Sequence, residues 1–218
     1  MRDCLIKFSR EKSHLVDFVE NGRIYVNTAV FFSECENDAT GQFDKFEMAS
    51  SYHQHEGASI EIAGRKFKIA APFCMQEGSP EYSHIFCLYV LSEESISRAT
   101  EGKVFDERLW DEFGEYFVLI HNAKAFIERL DSKLRELKLN YKADYVQYFC
   151  PKTHEGDVGA FRKRDTFSHQ EEYRVAIDKP DIQRPIDDMY LGDLSEIAYG
   201  PVHKSLSKNS YDNGQVVL

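Results

Sequence analysis

Apolar and polar positions along this chain fall into short, well-punctuated runs, and the runs predict more strands than helices. Residues 4–8 are apolar apart from one lysine and predict a strand. Ser9 is placed to N-cap a helix from Glu11 to Glu20, whose apolar face is Leu15, Val16, Phe18 and Val19. Asn21-Gly22 stops that helix and Arg23 to Asn27 resumes as a strand, which makes a strand–helix–strand unit. Residues 58–62 and 65–69 alternate in polarity around Ala63-Gly64, the pattern of a hairpin. His84 to Leu91, nearly all apolar, predicts a central strand, and Glu115 to His121 predicts another. Asn122 then caps a helix running to about Leu139, with Phe126, Leu130, Leu134 and Leu137 as its buried stripe. Strands follow at 141–149 and 170–177, and the last regular element, Leu194 to Tyr199, is closed by Gly200-Pro201. No repeat or linker divides the chain. The pattern therefore predicts one α+β domain over residues 1–203, built on a strand-rich mixed or antiparallel sheet with a few helices, and a flexible tail over 204–218.

Composition narrows the function classes. There are 37 acidic residues against 27 basic ones, a net charge of -10, so long-range attraction to nucleic acid or to an anionic membrane is excluded, and such contacts need a local basic patch. No apolar run approaches the roughly 20 residues that span a bilayer, so no membrane partner is expected. The five cysteines (Cys4, Cys35, Cys74, Cys87 and Cys150) are an odd number without a C-x-x-C pair. That excludes a zinc framework or a stapled secreted domain, and a reduced, cytoplasmic protein is expected. Cys4 and Cys87, in apolar runs, read as small core residues.

The segment richest in chemistry runs from Phe161 to Ile177. On a strand over 170–177, Glu171, Tyr173, Val175 and Ile177 share the core face, while Gln170, Glu172, Arg174 and Ala176 share the other. An amide, a carboxylate and a guanidinium thus stand in a row, approached by a basic turn, Arg162-Lys163-Arg164. One interpretation is an ion pair on a solvated sheet face, worth about a few tenths of a kcal/mol. The other is a cleft in which Glu172 acts on a substrate while Arg162, Arg164 and Arg174 hold phosphate. Two further constellations are weaker. His53 and His55 would share a strand face as a metal pair, but no third ligand has suitable spacing, and no metal is expected. Asp165 with Glu172-Tyr173-Arg174 approximates a metal-dependent nuclease pattern, with Arg where that pattern needs Lys.

Three stretches together resemble a bacterial family of unknown function whose genes often sit among phage-defence genes. These are the loop from Phe32 to Asp44 with Asn37-Asp38, the strand Phe167 to Arg174, and Glu196 to Pro201. In this sequence Ala39 to Gln42 separates Asn37-Asp38 from Phe43-Asp44 where the family has a contiguous Asn-Asp-Pro-Phe-Asp. The resemblance implies a role in phage defence and a partner protein from a defence operon. A second resemblance is to mono-ADP-ribosyltransferases, including the DNA-modifying toxin type. It rests on Lys7-Phe8-Ser9, the helix to Asn21-Gly22, Ile24-Tyr25, and Gln170-Glu171-Glu172 as a Gln-x-Glu strand. It implies an ADP-ribosyltransferase-like fold and NAD as substrate, with Glu172 as catalytic carboxylate and Gln170 on the acceptor side. Lys7, Ser9 and Tyr25 would then touch the NAD, together with Arg162, Arg164 and Arg174, and the acceptor would be a protein or a nucleic acid. Here Lys7 replaces the family's His or Arg. The alternative class is a non-catalytic sensor or binding module that uses the same cleft.

Overall fold

The structure is a computed structural model, and it describes residues 4–34, 48–76, 82–93, 95, 97, 104–207, 211–212 and 215–216. The elements, in chain order, begin with the strand–helix–strand unit β1 (Cys4–Ser9), α1 (Lys12–Asn21) and β2 (Arg23–Thr28), followed by α2 (Ala29–Glu34). Four short strands come next: β3 (Ser51–His53), β4 (Ser59–Ile62), β5 (Arg65–Lys68) and β6 (Phe73–Met75). The central strand β7 (His84–Leu91) leads to α3 (Arg108–Phe113), β8 (Tyr116–Ile120) and α4 (Ala123–Glu136). Then come β9 (Asn140–Tyr145), β10 (Gln147–Phe149), β11 (Gly156–Asp157), β12 (Arg162–Arg164), β13 (Glu172–Asp178), β14 (Ile186–Tyr190), β15 (Ala198–His203) and α5 (Lys204–Ser207). The architecture is a single-domain α+β fold, as the strand-rich pattern predicted. Among the described residues no helix is long and apolar enough to cross a membrane.

The main sheet is antiparallel and its hub is β7. One edge of β7 is taken by β13 along its length, from Glu172 opposite Tyr89 to Ile177 opposite His84. The other edge is shared. β1 pairs with residues 89–91 and β2 with residues 84–85, so the sheet forks at Phe86, Cys87 and Leu88. Beyond the fork β1 continues along β8, and β2 along β14.

Each face of this sheet carries its own core. On one face Leu5, Phe86, Leu88, Tyr173, Val175 and Ile177 meet α1 through Leu15 and Phe18, and α4 through Phe126, Leu130 and Leu134. On the other, an aromatic cluster of Phe8, Tyr89, Phe105, Trp110 and Phe117 lies over β1 and β8, and a smaller group around Ile85 and Ala176 lies over β7 and β13. The period-two assignment of Tyr173, Val175 and Ile177 to the core is what the structure shows.

Several sequence expectations are corrected. Helix α1 starts at Lys12, and the Ser9 hydroxyl accepts from the Glu11 N–H rather than capping the helix. Asn122 does cap α4 through the Ala125 N–H, but that helix ends at Glu136 and Leu137 is 42% exposed, since its carbon lies beyond the last turn of the stripe. The 141–149 strand is two strands, because β9 follows β13 whereas β10 pairs in parallel with β12. Gly200-Pro201 lies inside β15 rather than ending it, at the irregularity between Tyr199 and Val202. Cys4 and Cys87 are only half-buried. Asn37-Asp38, Phe43-Asp44 and residues 208–210, 213–214 and 217–218 of the tail expected to be flexible lie outside the described residues.

Gly114 fixes the approach of α3 to β1. A Cβ there would lie 2.4 Å from the Arg10 nitrogen, at φ +106, whereas at Gly156 (φ +111) it would meet nothing. Gly114→Ala should therefore lower stability by about 2 kcal/mol or more beyond Gly156→Ala, in which only the backbone strain operates. Urea midpoints of the two variants measure the difference, and equal midpoints would contradict it.

Candidate active site

Where the sheet forks, β1 leaves β7 after Ile6 and β2 rejoins it at Asn27, and a cavity of about 340 Å³ opens between them. Its walls include Lys7, Phe8, Tyr25, Phe31, Phe86 and Cys87, and its floor includes Lys163, Gln170, Glu172 and Arg174. A second chamber of about 510 Å³ shares Lys7, Phe8, Tyr25, Phe86 and Phe113 with the first and extends along Ser9, Arg10 and Arg23. The strand–helix–strand unit read from the sequence is thus the rim of a cleft.

The floor is a chain of buried polar groups. Lys163 Nζ donates to Gln170 Oε1 at 2.6 Å and to Glu172 Oε1 at 2.9 Å. Arg174 donates to Glu172 Oε2 at 2.8 Å and to the Ala160 carbonyl at 2.6 Å. Gln170 Nε2 donates to Glu112 Oε2 at 2.8 Å, and the other Glu112 oxygen lies 2.7 Å from His169 Nε2. Glu172 is 6% exposed and Arg174 1%. Burial alone would raise the Glu172 carboxyl, but the cations of Lys163 and Arg174 overcome it and hold the group well below the usual carboxylate range. The backbone N–H of Glu172 donates to Tyr148 Oη at 3.1 Å, and burial pushes that phenol up.

Lys7 differs from these cations. Its ammonium donates to the Cys87 carbonyl at 3.3 Å, inside the fork, and stands 4.7 Å from the centre of the Phe86 ring. Burial pushes its pKa below the ordinary lysine value, partly offset by Cys87 and Glu172. An ammonium has three donors. One long bond to a carbonyl leaves Lys7 able to take an anion in the cavity.

The sequence-derived candidates divide. Lys7, Tyr25, Gln170, Glu172 and Arg174 line the first chamber, and Ser9 the second. Gln170 reaches the floor from a 3-10 turn, Asp165–Gln170, and not from the strand, which begins at Glu172. Between them Glu171 takes a left-handed conformation, φ 36, unfavourable for a residue with a side chain, and its carboxylate accepts from Ser95 Oγ at 2.6 Å. The basic segment is strand β12 rather than a turn, so its side chains alternate. Lys163 points to the cleft. Arg162 lines a different cavity and donates to the Asp157 carbonyl, and the Arg164 guanidinium lies over Phe167. Neither arginine lines the cleft chambers. Lys163 and Glu112 were missed as site residues, because the pairing and the hydrogen bond that bring them to the floor join segments distant along the chain. The ion pair of Glu172 with Arg174 exists, but on a buried layer rather than a solvated face.

The remaining constellations have separate partners. His53 lies 2.8 Å from Ser51 Oγ and 2.5 Å from Glu155 Oε1, with its ring stacked on Phe73, and so ties the loop at residue 155 to β3. His55 faces Glu56 instead. Asp165 is exposed, whereas Glu172 is buried between two cations.

Fold and floor define a forked-sheet α+β protein with a cationic, aromatic-walled cleft. Comparison with protein-family models, with curated proteins and with solved structures finds no match.

Because Glu172 neutralises two buried cations, Glu172→Gln should lower stability by roughly 3–5 kcal/mol, the cost of stranding buried charge. The pH sign follows from the depressed carboxyl. Its contribution is complete above the unfolded carboxylate pKa of about 4.3 and is lost as pH falls below it toward the folded value. Urea midpoints at neutral pH test the first expectation. Midpoints between neutral and acid pH test the second, with the Glu172→Gln profile flatter than wild type.

Proposed function

We propose that the forked cleft binds a nucleotide, with NAD as the substrate that the sequence resemblance implies, and that the chain is an ADP-ribosyltransferase-like effector acting in bacterial phage defence. The observation that carries the binding is Lys7, a cation with spare donors in a cavity walled by Tyr25, Phe31 and Phe86. In this reading Lys7 takes an anionic group of the ligand, the exposed ring of Tyr25 stacks on a planar one, and the residues on the floor face the sugar. When a nicotinamide leaves, positive charge develops on the ribose, and a fixed carboxylate beside it stabilises that charge only in the transition state. Glu172 is the floor carboxylate so placed. Lys163 and Arg174 hold it deprotonated and fixed. Gln170 has both ends of its amide engaged, by Lys163 and Glu112, so its role is to position Lys163 and Glu172 rather than to bind an acceptor.

A second reading has a specific observation in its favour. Three cations, Lys7, Lys163 and Arg174, against two carboxylates, Glu172 and Glu112, leave the cleft positive, which suits an anionic ligand better than a developing cation. The same cleft would then belong to a non-catalytic sensor or binding module.

Titration of NAD into the folded protein, with nicotinamide release measured in the presence and absence of cell lysate as acceptor, decides between them. Binding with release supports the transferase, binding without release supports the module, and no binding overturns both. Tyr25→Ala and Lys7→Met should each weaken binding about tenfold, near 1.4 kcal/mol. Binding should also fall as pH rises through the lowered Lys7 value, because only the protonated amine holds the anion, and Lys7→Met should remove that dependence.

A further inference from the structure

The hairpin β4–β5 stands apart from the cleft and from the main sheet. Its strands pair only with each other among the described residues, with Ile60 opposite Phe67 and Ile62 opposite Arg65 around the Ala63-Gly64 turn. Every residue of both strands is exposed. Cross-strand pairing puts Ile60, Ile62, Arg65 and Phe67 on one face and Ser59, Glu61, Lys66 and Lys68 on the other. The three large apolar side chains are 50%, 56% and 49% exposed. A two-stranded hairpin is only marginally stable in water, and an apolar face held in solvent gives it no support.

Charge and size together select what covers this face. In a chain of net charge -10 the hairpin concentrates three cations, Arg65, Lys66 and Lys68, against one carboxylate, Glu61. A second copy of the same hairpin would bring like charges together, which argues against self-docking. The apolar patch is three side chains wide, far below the roughly 800 Å² per partner of a standard protein interface. A bilayer surface requires much less, because a few apolar side chains at the headgroup boundary and a few nearby cations act together. The ribbon is thinner than the Debye length of about 8–10 Å, so Lys66 and Lys68 on its far face still feel an anionic surface. We infer that the β4–β5 hairpin docks on anionic membrane surfaces, seating Ile60, Ile62 and Phe67 at the headgroup boundary with Arg65, Lys66 and Lys68 supplying the charge attraction. This supplies the local basic patch without which the net charge excludes membrane contact, and it is independent of what the cleft binds.

Co-sedimentation of the full chain with vesicles tests it. Wild type should sediment with phosphatidylcholine vesicles containing phosphatidylglycerol and remain in solution with phosphatidylcholine alone. Added salt should release it. Ile62→Asp and Phe67→Asp should each reduce the bound fraction about tenfold or more with the thermal midpoint unchanged, since both side chains are half-exposed. Absence of wild type from the anionic pellet, or variants that sediment as well as wild type, would overturn the inference. So would a wild-type oligomer on size exclusion that Phe67→Asp converts to monomer, because the face would then belong to a protein contact.

Discussion

Strand β7 has two edges of backbone donors and acceptors to satisfy, and the protein satisfies them asymmetrically. β13 covers one edge throughout, while the other is divided between β1 and β2, which arrive from opposite ends and leave residues 86–88 between them. Buried backbone groups left without partners are costly, so a divided edge survives only where something else supplies the bond. At the Cys87 carbonyl that partner is the ammonium of Lys7, the first residue of β1 beyond its pairing with β7. The cleft, the charge at its mouth and the path of the strand–helix–strand unit follow from this one irregularity. α1 spans the two arms of the fork, and its Leu15 and Phe18 anchor them to the core beneath.

The floor of the cleft shows the electrostatic consequence. Moving Lys163, Glu172 and Arg174 out of water costs several kcal/mol for each ion, a cost that well-packed apolar side chains would avoid. The cluster is therefore poor as a stabilising device and better understood as a preorganised polar surface on the sheet face between two apolar clusters. The left-handed Glu171 fits that view. Strain at a residue adjoining Glu172 is retained because the bond from Ser95 and the backbone bond from Val90 to the Glu171 carbonyl fix the chain there. The backbone is bent at this point, and the bend sends Gln170 and Glu172 to the same lysine.

The sequence made legible whatever depends on local period. The alternation in 172–177 separated the core side chains from the polar row, the apolar run at 84–91 marked the hub strand, and Asn122 marked the start of a helix. It placed Lys7, Tyr25, Gln170, Glu172 and Arg174 in a common site through a resemblance, and these residues line one cavity. What escaped depends on contacts distant along the chain. The parallel pairing of β10 with β12 decides that Lys163, rather than Arg162 or Arg164, reaches the floor, and no local pattern announces a parallel pair of three residues. Glu112 joins the network from a helix 58 residues before Gln170. The burial of Glu172 likewise depends on what the opposite layer brings against it, so a carboxylate that looks solvated on a strand pattern becomes the centre of a buried triad.

Net charge was the least informative number for this molecule, and the reason is physical. A net charge of -10 describes the field far from the surface, where screening leaves little of it beyond a Debye length. Recognition occurs at a few ångströms, where local composition governs. At that range the described residues include a recessed cationic surface at Lys7, Lys163 and Arg174, with Glu172 and Glu112 among them, and an exposed one on the β4–β5 hairpin. The acidic remainder disfavours indiscriminate binding to polyanions. Only a ligand small enough to enter the fork, or a surface that meets the apolar face of the hairpin without approaching the rest of the molecule, escapes that repulsion. An excess of carboxylates elsewhere thus restricts both sites to partners of the right shape, and selectivity comes from where the few accessible cations stand.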